Sequence, residues 1–135
     1  MNDLLVKALN VALEARSWAE YEADKIGDMN DGLSGWCAIA SAELHNRLRK
    51  VGIPAHIHMA QLDNSCHVFV VVDDHVVDVT ASQFHKFKNE TVLVKHHREL
   101  ESHWFYSTRH VFNSAKALRK HQIKENWDKD QIAYG

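Results

Sequence analysis

Cysteine, long apolar runs and an excess of either charge are all scarce in this sequence. Two cysteines among 135 residues cannot build a disulfide framework, and the first residues lack the basic start and apolar stretch of a signal peptide, so we expect reduced thiols and a cytoplasmic protein. No apolar run approaches the roughly 18 residues that a membrane-spanning helix needs. The formal net charge of -2 comes from mixed signs, so the composition predicts neither a nucleic-acid partner nor a membrane partner.

The length and composition of the chain predict a single domain over residues 1–135, and the sequence has no internal repeat or low-complexity segment. Helical spacing predicts a first helix from about Leu4 to Ile26, capped by Asn2 or Asp3 and ended by Gly27. We expect this helix to pack through one apolar side and to expose a charged one. The two sets are Leu5, Leu9, Ala12 and Leu13 on the packed side, and Glu14, Arg16, Glu20 and Glu22 largely on the exposed side.

A second helix is predicted to begin at Cys37, since small and apolar residues recur from there at helical spacing. Gly52 can form a left-handed cap and Pro54 prevents continuation. The residues expected on the inward side are Cys37, Ala40, Ser41, Leu44, Leu48 and Val51. A cysteine in a first helical turn meets a partial positive charge that favours thiolate over thiol. By itself this leaves two interpretations of Cys37, an activated nucleophile or a small buried hydrophobic residue.

The middle of the chain has the pattern of β-strands. Period-two alternation predicts a strand over residues 53–60, and two β-prone runs, 66–72 and 75–80, flank a short polar link that predicts a hairpin. Residues 91–95 could form another strand. Beyond them lie an aromatic segment, His103 to Tyr106, a helical pattern from about Asn113 to Asn126, and a tail from Trp127 to Gly135.

The hairpin register decides which side chains meet. A two-residue link pairs Val72 with His75 and places His67 and Asp78 on one face, as diagonal neighbours about 5 to 7 Å apart. An odd-numbered link would place them on opposite faces. With Cys37, these residues supply a nucleophile, a base and a group that orients the base, as thiol acyl transfer requires.

Four segments together resemble the transglutaminase-like superfamily, which belongs to the papain-like group. They are Gly35-x-Cys37, Leu48 to Ala55 after an Ala/Leu-rich helix, His67-Val68-Phe69-Val70, and Val76 to Thr80. The resemblance covers roughly residues 33–84 and leaves the C-terminal aromatic segment and helix, residues 100–127, outside the core. It implies an α+β fold in which N-terminal helices include a catalytic helix packed on an antiparallel sheet. It also implies that Cys37, His67 and Asp78 form a catalytic triad.

Members of this superfamily include crosslinkers, peptidases, deamidases and amide hydrolases. The resemblance therefore implies a thioester at Cys37 formed with a peptide, a protein or a small amide substrate. We expect hydrolysis of an amide or isopeptide rather than crosslinking, because the chain is small, and we expect no cofactor or metal. The oxyanion hole should combine the Cys37 backbone N–H with a side-chain donor, for which Trp36, Asn30 and Gln61 are the candidates.

Two other functions remain open at this point. Cys37, Cys66 and His67, with either His56 or His58, could supply sulfur and nitrogen ligands for zinc, although no Cys-x-x-Cys or His-x-x-x-His spacing occurs. A peptide-binding module of the same fold, without turnover, is the other alternative. Because Cys66 directly precedes His67 on a strand, we expect it to face away from His67 and to lie in the core.

Overall fold

The computed structural model describes residues 1–29 and 32–134, which form three α-helices and one five-stranded antiparallel sheet. The predicted α+β class is confirmed. No helix within the described part of the chain is long and apolar enough to cross a bilayer. The elements are α1 (Asp3–Lys25), α2 (Cys37–Lys50), β1 (His56–Leu62), β2 (Ser65–Val72), β3 (His75–Asp78), β4 (Leu93–His96), β5 (Thr108–Phe112) and α3 (Ala115–Lys124), and the sheet order is β4-β3-β2-β1-β5.

The two faces of the sheet are covered differently. Alternate residues of β2, among them Val68 and Val70, pack against the helices. His67 and Phe69 point to the opposite face, where Phe69 packs with apolar residues from the connections that follow β3 and β4. The sheet thus separates a helical layer from a layer of irregular segments.

Helix α1 packs through a stripe of alanines. Its cap is the predicted Asn2, whose side chain accepts a hydrogen bond from the backbone N–H of Leu5 at 2.9 Å. The fully buried residues recur at helical spacing and are Ala8, Ala12, Ala15, Ala19 and Ala23. The predicted packed side is wrong at Leu13, which is 39% exposed, because the alanine stripe allows a closer helix contact on a different side. The expectation of an exposed Arg16 is also wrong, since it is 7% exposed and its guanidinium donates to the buried carbonyl of Val79.

Helix α2 begins at Cys37 as predicted and ends before Gly52, which has the expected left-handed φ of +76°. It is buried on several sides, and the Ser41 hydroxyl donates to the Val68 carbonyl at 3.1 Å across the helix-sheet interface. Val51 lies just past the last helical residue and is 60% exposed, so its prediction as a packed residue is wrong.

The hairpin has the two-residue link and the register predicted for it. Val72 pairs with His75 and Val70 pairs with Val77. The two link residues adopt positive φ, +48° and +60°, as in turns whose twist matches the flanking strands. Strand β1 begins at residue 56, later than predicted, since Pro54 has no N–H to donate to a ladder.

The C-terminal third departs most from expectation. β5 was not predicted as a strand, yet it pairs with β1 and forms one edge of the sheet. The prediction of a C-terminal tail is wrong because Gln122, fully buried on α3, fixes this segment. Its side chain donates to the Gln131 carbonyl at 3.1 Å and accepts from the Ala133 N–H at 2.8 Å.

Candidate active site

His67 and Asp78 form a buried pair on the face of the sheet away from the helices. His67 Nε2 lies 2.7 Å from Asp78 Oδ2, and the side chains are 1% and 0% exposed. Asp78 is the last residue of β3, and the register of β2 with β3 places His67 two positions beyond the end of that strand. The predicted proximity of the two side chains is confirmed.

Asp78 accepts hydrogen bonds on both oxygens. The Tyr106 hydroxyl donates to Oδ2 at 2.6 Å, while the Thr80 backbone N–H donates to Oδ1 at 2.9 Å and the Thr80 hydroxyl does so at 3.3 Å. Burial alone would raise the pKa of Asp78, but His67 and these donors outweigh burial and lower it. The carboxylate is therefore ionised and held in one orientation.

The same pairing controls the charge of His67. Burial alone would lower its pKa, but the attraction and hydrogen bond of Asp78, with a smaller contribution from the Cys37 side chain, raise the pKa of His67 to about 9. At neutral pH the ring is therefore an imidazolium. Because Nε2 is bonded to Asp78, Nδ1 is the nitrogen left for a thiol.

Aromatic rings enclose the imidazole. Phe84 meets it edge-on at a centroid distance of 4.8 Å, and Phe69, Phe105 and Tyr106 have centroids between 5.6 and 6.3 Å away. Phe84 and Phe105 also stack on each other at 3.8 Å. This enclosure keeps water away from the His67–Asp78 pair and strengthens its electrostatic interaction.

Cys37 reaches the imidazole from the helical side of the sheet. It occupies the first position of α2 and is 6% exposed, and its side chain lies close enough to the imidazole to add to the raised pKa of His67. Since β3 ends at Asp78, no strand formed by the described residues pairs with β2 beside His67 on that edge. A helix start on one face can therefore contact a histidine on the other.

Cys37 also lines an open pocket of about 570 Å³, which we call the Cys37 pocket. The rest of its lining comes from four parts of the chain. They are residues 34–35 just before α2, residues of the β1–β2 hairpin within 59–66, Gln83, and residues within 121–131. His67 is not part of this wall and is 1% exposed, so the buried pair lies behind the lining residues. A substrate in the pocket would meet the sulfur and the amide side chains first.

Gln83, which was not predicted as a site residue, lies between the pocket and the pair. Its Nε2 donates to the Thr80 hydroxyl at 3.1 Å and lies 3.5 Å from His67 Nδ1. Tyr106 and Thr80 were likewise not predicted. The sequence could have suggested such residues in one way. A buried carboxylate needs several hydrogen-bond donors, and a Tyr or a Thr nearby in the fold can supply them.

The three oxyanion candidates differ in position. Gln61 lines the Cys37 pocket. Trp36 is buried and donates its indole N–H to Asp28 Oδ2 at 2.7 Å, so that N–H is already used and does not face the pocket. Asn30 lies outside the described residues.

Cys66 is half-buried and lines the Cys37 pocket, so its prediction as a core residue is only partly right. It does face away from His67, packing with residues of the helical side. Burial, followed by the nearby Cys37, raises the pKa of the Cys66 thiol. Cys66 therefore provides a second thiol in the same pocket.

The two loops next to Cys37 and Asp78 are tied together by Arg16 of α1. The Arg16 guanidinium donates to the Val79 carbonyl at 3.0 Å and to the Ser82 hydroxyl at 2.8 Å, and that hydroxyl donates to the Gly32 carbonyl at 3.1 Å. A Cβ on Gly32 would lie 2.6 Å from the Ser82 backbone. The loop before Cys37 and the loop after Asp78 are thus in direct contact.

Within residues 1–29 and 32–134, no group of three or more His, Cys, Asp or Glu side chains is arranged to hold a metal ion. The ligands considered for zinc are therefore not brought together as a set. His67 is bonded to Asp78, and His58 Nδ1 lies 2.9 Å from the Thr108 hydroxyl.

Comparison of the chain with protein-family models, with curated proteins and with solved structures gives no match. The fold is thus described at the level of an α+β domain with an antiparallel sheet. Membership of the transglutaminase-like superfamily stays a prediction from the motifs.

Proposed function

We propose that this protein is a transglutaminase-like, papain-like cysteine enzyme that transfers the acyl group of an amide through a thioester at Cys37. The observation that carries the proposal is the buried His67–Asp78 pair, 2.7 Å apart, beside a cysteine that lines an open pocket. A buried ion pair is costly to maintain and adds little net stability as a substitute for apolar packing. A catalytic role gives this pair a reason to be there.

In the proposed reaction the Cys37 sulfur, as thiolate beside the His67 imidazolium, attacks the carbonyl carbon of an amide in the pocket. The tetrahedral intermediate expels the amine, which takes its proton from His67 Nδ1, and a thioester remains. His67, now neutral, removes a proton from water as the water oxygen attacks the thioester carbonyl; the intermediate then releases the acid and the Cys37 thiolate beside the imidazolium. Asp78 holds the ring so that Nδ1 faces the sulfur throughout.

The developing oxyanion needs donors at the start of α2. The Cys37 backbone N–H belongs to the first helical turn, whose N–H groups have no partner within a helix. Gln61 and Gln83 are the side-chain amides of the pocket best suited to add a second donor, and Gln83 is also next to His67. We propose hydrolysis rather than amine transfer because the pocket is open and its wall is rich in polar groups, which admit water.

The test is site-resolved alkylation with iodoacetamide near neutral pH, followed by mass spectrometry of the peptides that hold Cys37 and Cys66. We expect Cys37 to react at least tenfold faster than Cys66, because only Cys37 has an imidazolium beside it. His67→Ala should slow Cys37 to the rate of an ordinary half-buried thiol and leave Cys66 unchanged.

Equal and slow alkylation of both cysteines would contradict the enzyme proposal and favour the peptide-binding module. His85→Ala is the matched control, since His85 is exposed and lies in the loop that follows Gln83. It should leave both rates unchanged. Elemental analysis of the purified protein tests the zinc alternative separately, since near-stoichiometric metal that is lost in Cys66→Ala would favour that alternative.

A further inference from the structure

The rim of the Cys37 pocket carries three carboxylates from two separate parts of the chain. Asp63 comes from the β1–β2 turn, and Glu125 and Asp128 come from the segment after α3. All three are exposed, and none has a Lys, Arg or His partner within 4 Å among the described residues. No Lys or Arg of the described part lines the pocket.

The histidine on this wall does not offset these charges. His121 lines the pocket, and burial, followed by the neighbouring His110, lowers the pKa of its imidazole. It is therefore neutral at neutral pH. The reacting end of the pocket carries no net positive charge, because the imidazolium of His67 is paired with the carboxylate of Asp78.

The backbone of the C-terminal segment that carries two of these carboxylates is held in place. Gln122 fixes residues 131–133 through its buried side chain, and Arg119 Nη1 donates to the Ala133 carbonyl at 2.9 Å. The side chain of Gln131 also lies close to Gly35, where an added Cβ would approach its Nε2 at 3.3 Å. Two carboxylates thus lie on a wall that is packed against the loop leading to Cys37.

We infer that the Cys37 pocket selects amide substrates with a cationic side chain, that of Lys or Arg, next to the reacting carbonyl. The inference rests on the proposed function. In it, the three carboxylates determine which substrate side chain the Cys37 pocket prefers. An exposed carboxylate is worth about 1.4- to 5-fold in affinity for a cation, so three together predict about a tenfold preference at low salt. The preference should shrink in 0.5 M NaCl, since such charges are screened.

The experiment uses three peptidyl chloromethyl ketones that are identical except for the residue next to the reactive carbon: arginine, its neutral isostere citrulline, or glutamate. Each alkylates a thiol, forming a carbon–sulfur bond as chloride leaves. The measured quantity is kinact/KI for Cys37 in the full chain, with the modified residue identified by mass spectrometry. We expect the arginine compound to react about tenfold faster than the citrulline compound, and the glutamate compound to be slowest.

The double variant Glu125→Gln/Asp128→Asn should reduce the arginine preference to about threefold or less. The matched control is Glu101→Gln/Asp130→Asn, which changes the net charge equally at exposed positions that do not line the pocket. It should keep the wild-type preference. Equal rates for arginine and citrulline, or the same loss in both double variants, would overturn the inference while leaving fast alkylation of Cys37 by iodoacetamide intact. Failure of iodoacetamide and all three ketones to alkylate Cys37 would instead count against the proposed function, and the inference would fall with it.

Discussion

The two halves of the candidate active site are built in opposite ways. The His67–Asp78 pair lies on the irregular face of the sheet, almost without exposure, with two oxygens of Asp78 bonded and aromatic rings around the imidazole. The Cys37 pocket lies at the helical side, is open, and is lined by amides and carboxylates. Cys37 is the residue that belongs to both.

The difference shows which part of such a site tolerates change. In the buried pair, the imidazolium and the carboxylate are each other's counter-charge, so removal of one leaves an uncompensated charge. In the pocket, the polar side chains face water and can be replaced at little cost in folding. Stability experiments should therefore report on the pair, and experiments on reactivity and selectivity should report on the pocket.

The largest expected effect is that of Asp78→Asn. Loss of the carboxylate leaves the imidazole buried without its counter-charge, and we expect the free energy of unfolding to fall by about 3 kcal/mol or more. Urea denaturation measures this. Asp74→Asn is the control, since Asp74 is exposed in the turn of the same hairpin and its φ of +60° suits Asn. Equal stability of the two variants would show that the pair is not a coupled unit.

The second prediction concerns pH. The pKa of His67 is raised to about 9 in the folded protein, above its usual 6.5, so the charged ring stabilises the fold fully below about pH 6.5 and this contribution is lost as the pH rises through about 9. The wild-type protein should lose up to about 3 kcal/mol of unfolding free energy over that window. Urea titrations at pH 6, 7.5 and 9 should show this loss in wild type and in His85→Gln, but not in His67→Gln. A parallel pH dependence in His67→Gln would contradict the assignment.

A smaller effect is expected from Tyr106→Phe, which removes one donor from a buried carboxylate. The 2.6 Å hydrogen bond from Tyr106 to Asp78 should be worth about 1.5–3 kcal/mol. Thermal or urea unfolding can be compared with that of Tyr21→Phe, because Tyr21 is 66% exposed and its substitution should change stability by less than about 0.5 kcal/mol. A neutral Tyr106→Phe would mean that Asp78 finds its donors elsewhere.

The contact between the loop before Cys37 and the loop after Asp78 can be tested by replacing glycines. The expected changes in stability are of similar size to that of Tyr106→Phe. Gly27 and Gly32 both have positive φ, but only at Gly32 would a new Cβ meet another backbone, that of Ser82. We expect Gly27→Ala to cost about 1 kcal/mol and Gly32→Ala about 1–3 kcal/mol more. Gly32→Ala should also slow alkylation of Cys37, which Gly27→Ala should not. Equal costs would show that the loop contact is easily displaced.

The sequence predicted the parts of the site that depend on local patterns. Three features depend on residues that are close together along the chain. They are the start of α2 at Cys37, its end before Gly52, and the hairpin register that brings His67 next to Asp78. Helical spacing and turn chemistry are local, so a single sequence reveals them.

The remaining parts depend on contacts between distant residues. Tyr106 bonds to Asp78 across 28 positions, and Arg16 bonds to Val79 across 63. Strand β5 has no clear β pattern in the sequence, and it forms by pairing with the free edge of β1. The segment after α3 is fixed because the buried side chain of Gln122 bonds to its backbone. A charged or amide side chain in a helix is ordinarily exposed, so its burial follows only from the three-dimensional partners it finds.

The central claim is that Cys37 and His67 act as one thiolate–imidazolium pair, and the pH dependence of alkylation tests it most directly. The rate of iodoacetamide reaction at Cys37 should be measured from pH 5.5 to 9 in the wild type and in His67→Ala, with Cys66 as the internal reference, whose thiol has a pKa raised by burial. We predict that Cys37 of the wild type reacts faster than Cys37 of His67→Ala and depends less steeply on pH than Cys66, whose rate should rise by about tenfold per pH unit. A Cys37 rate that climbs with pH in parallel with Cys66 would contradict the account.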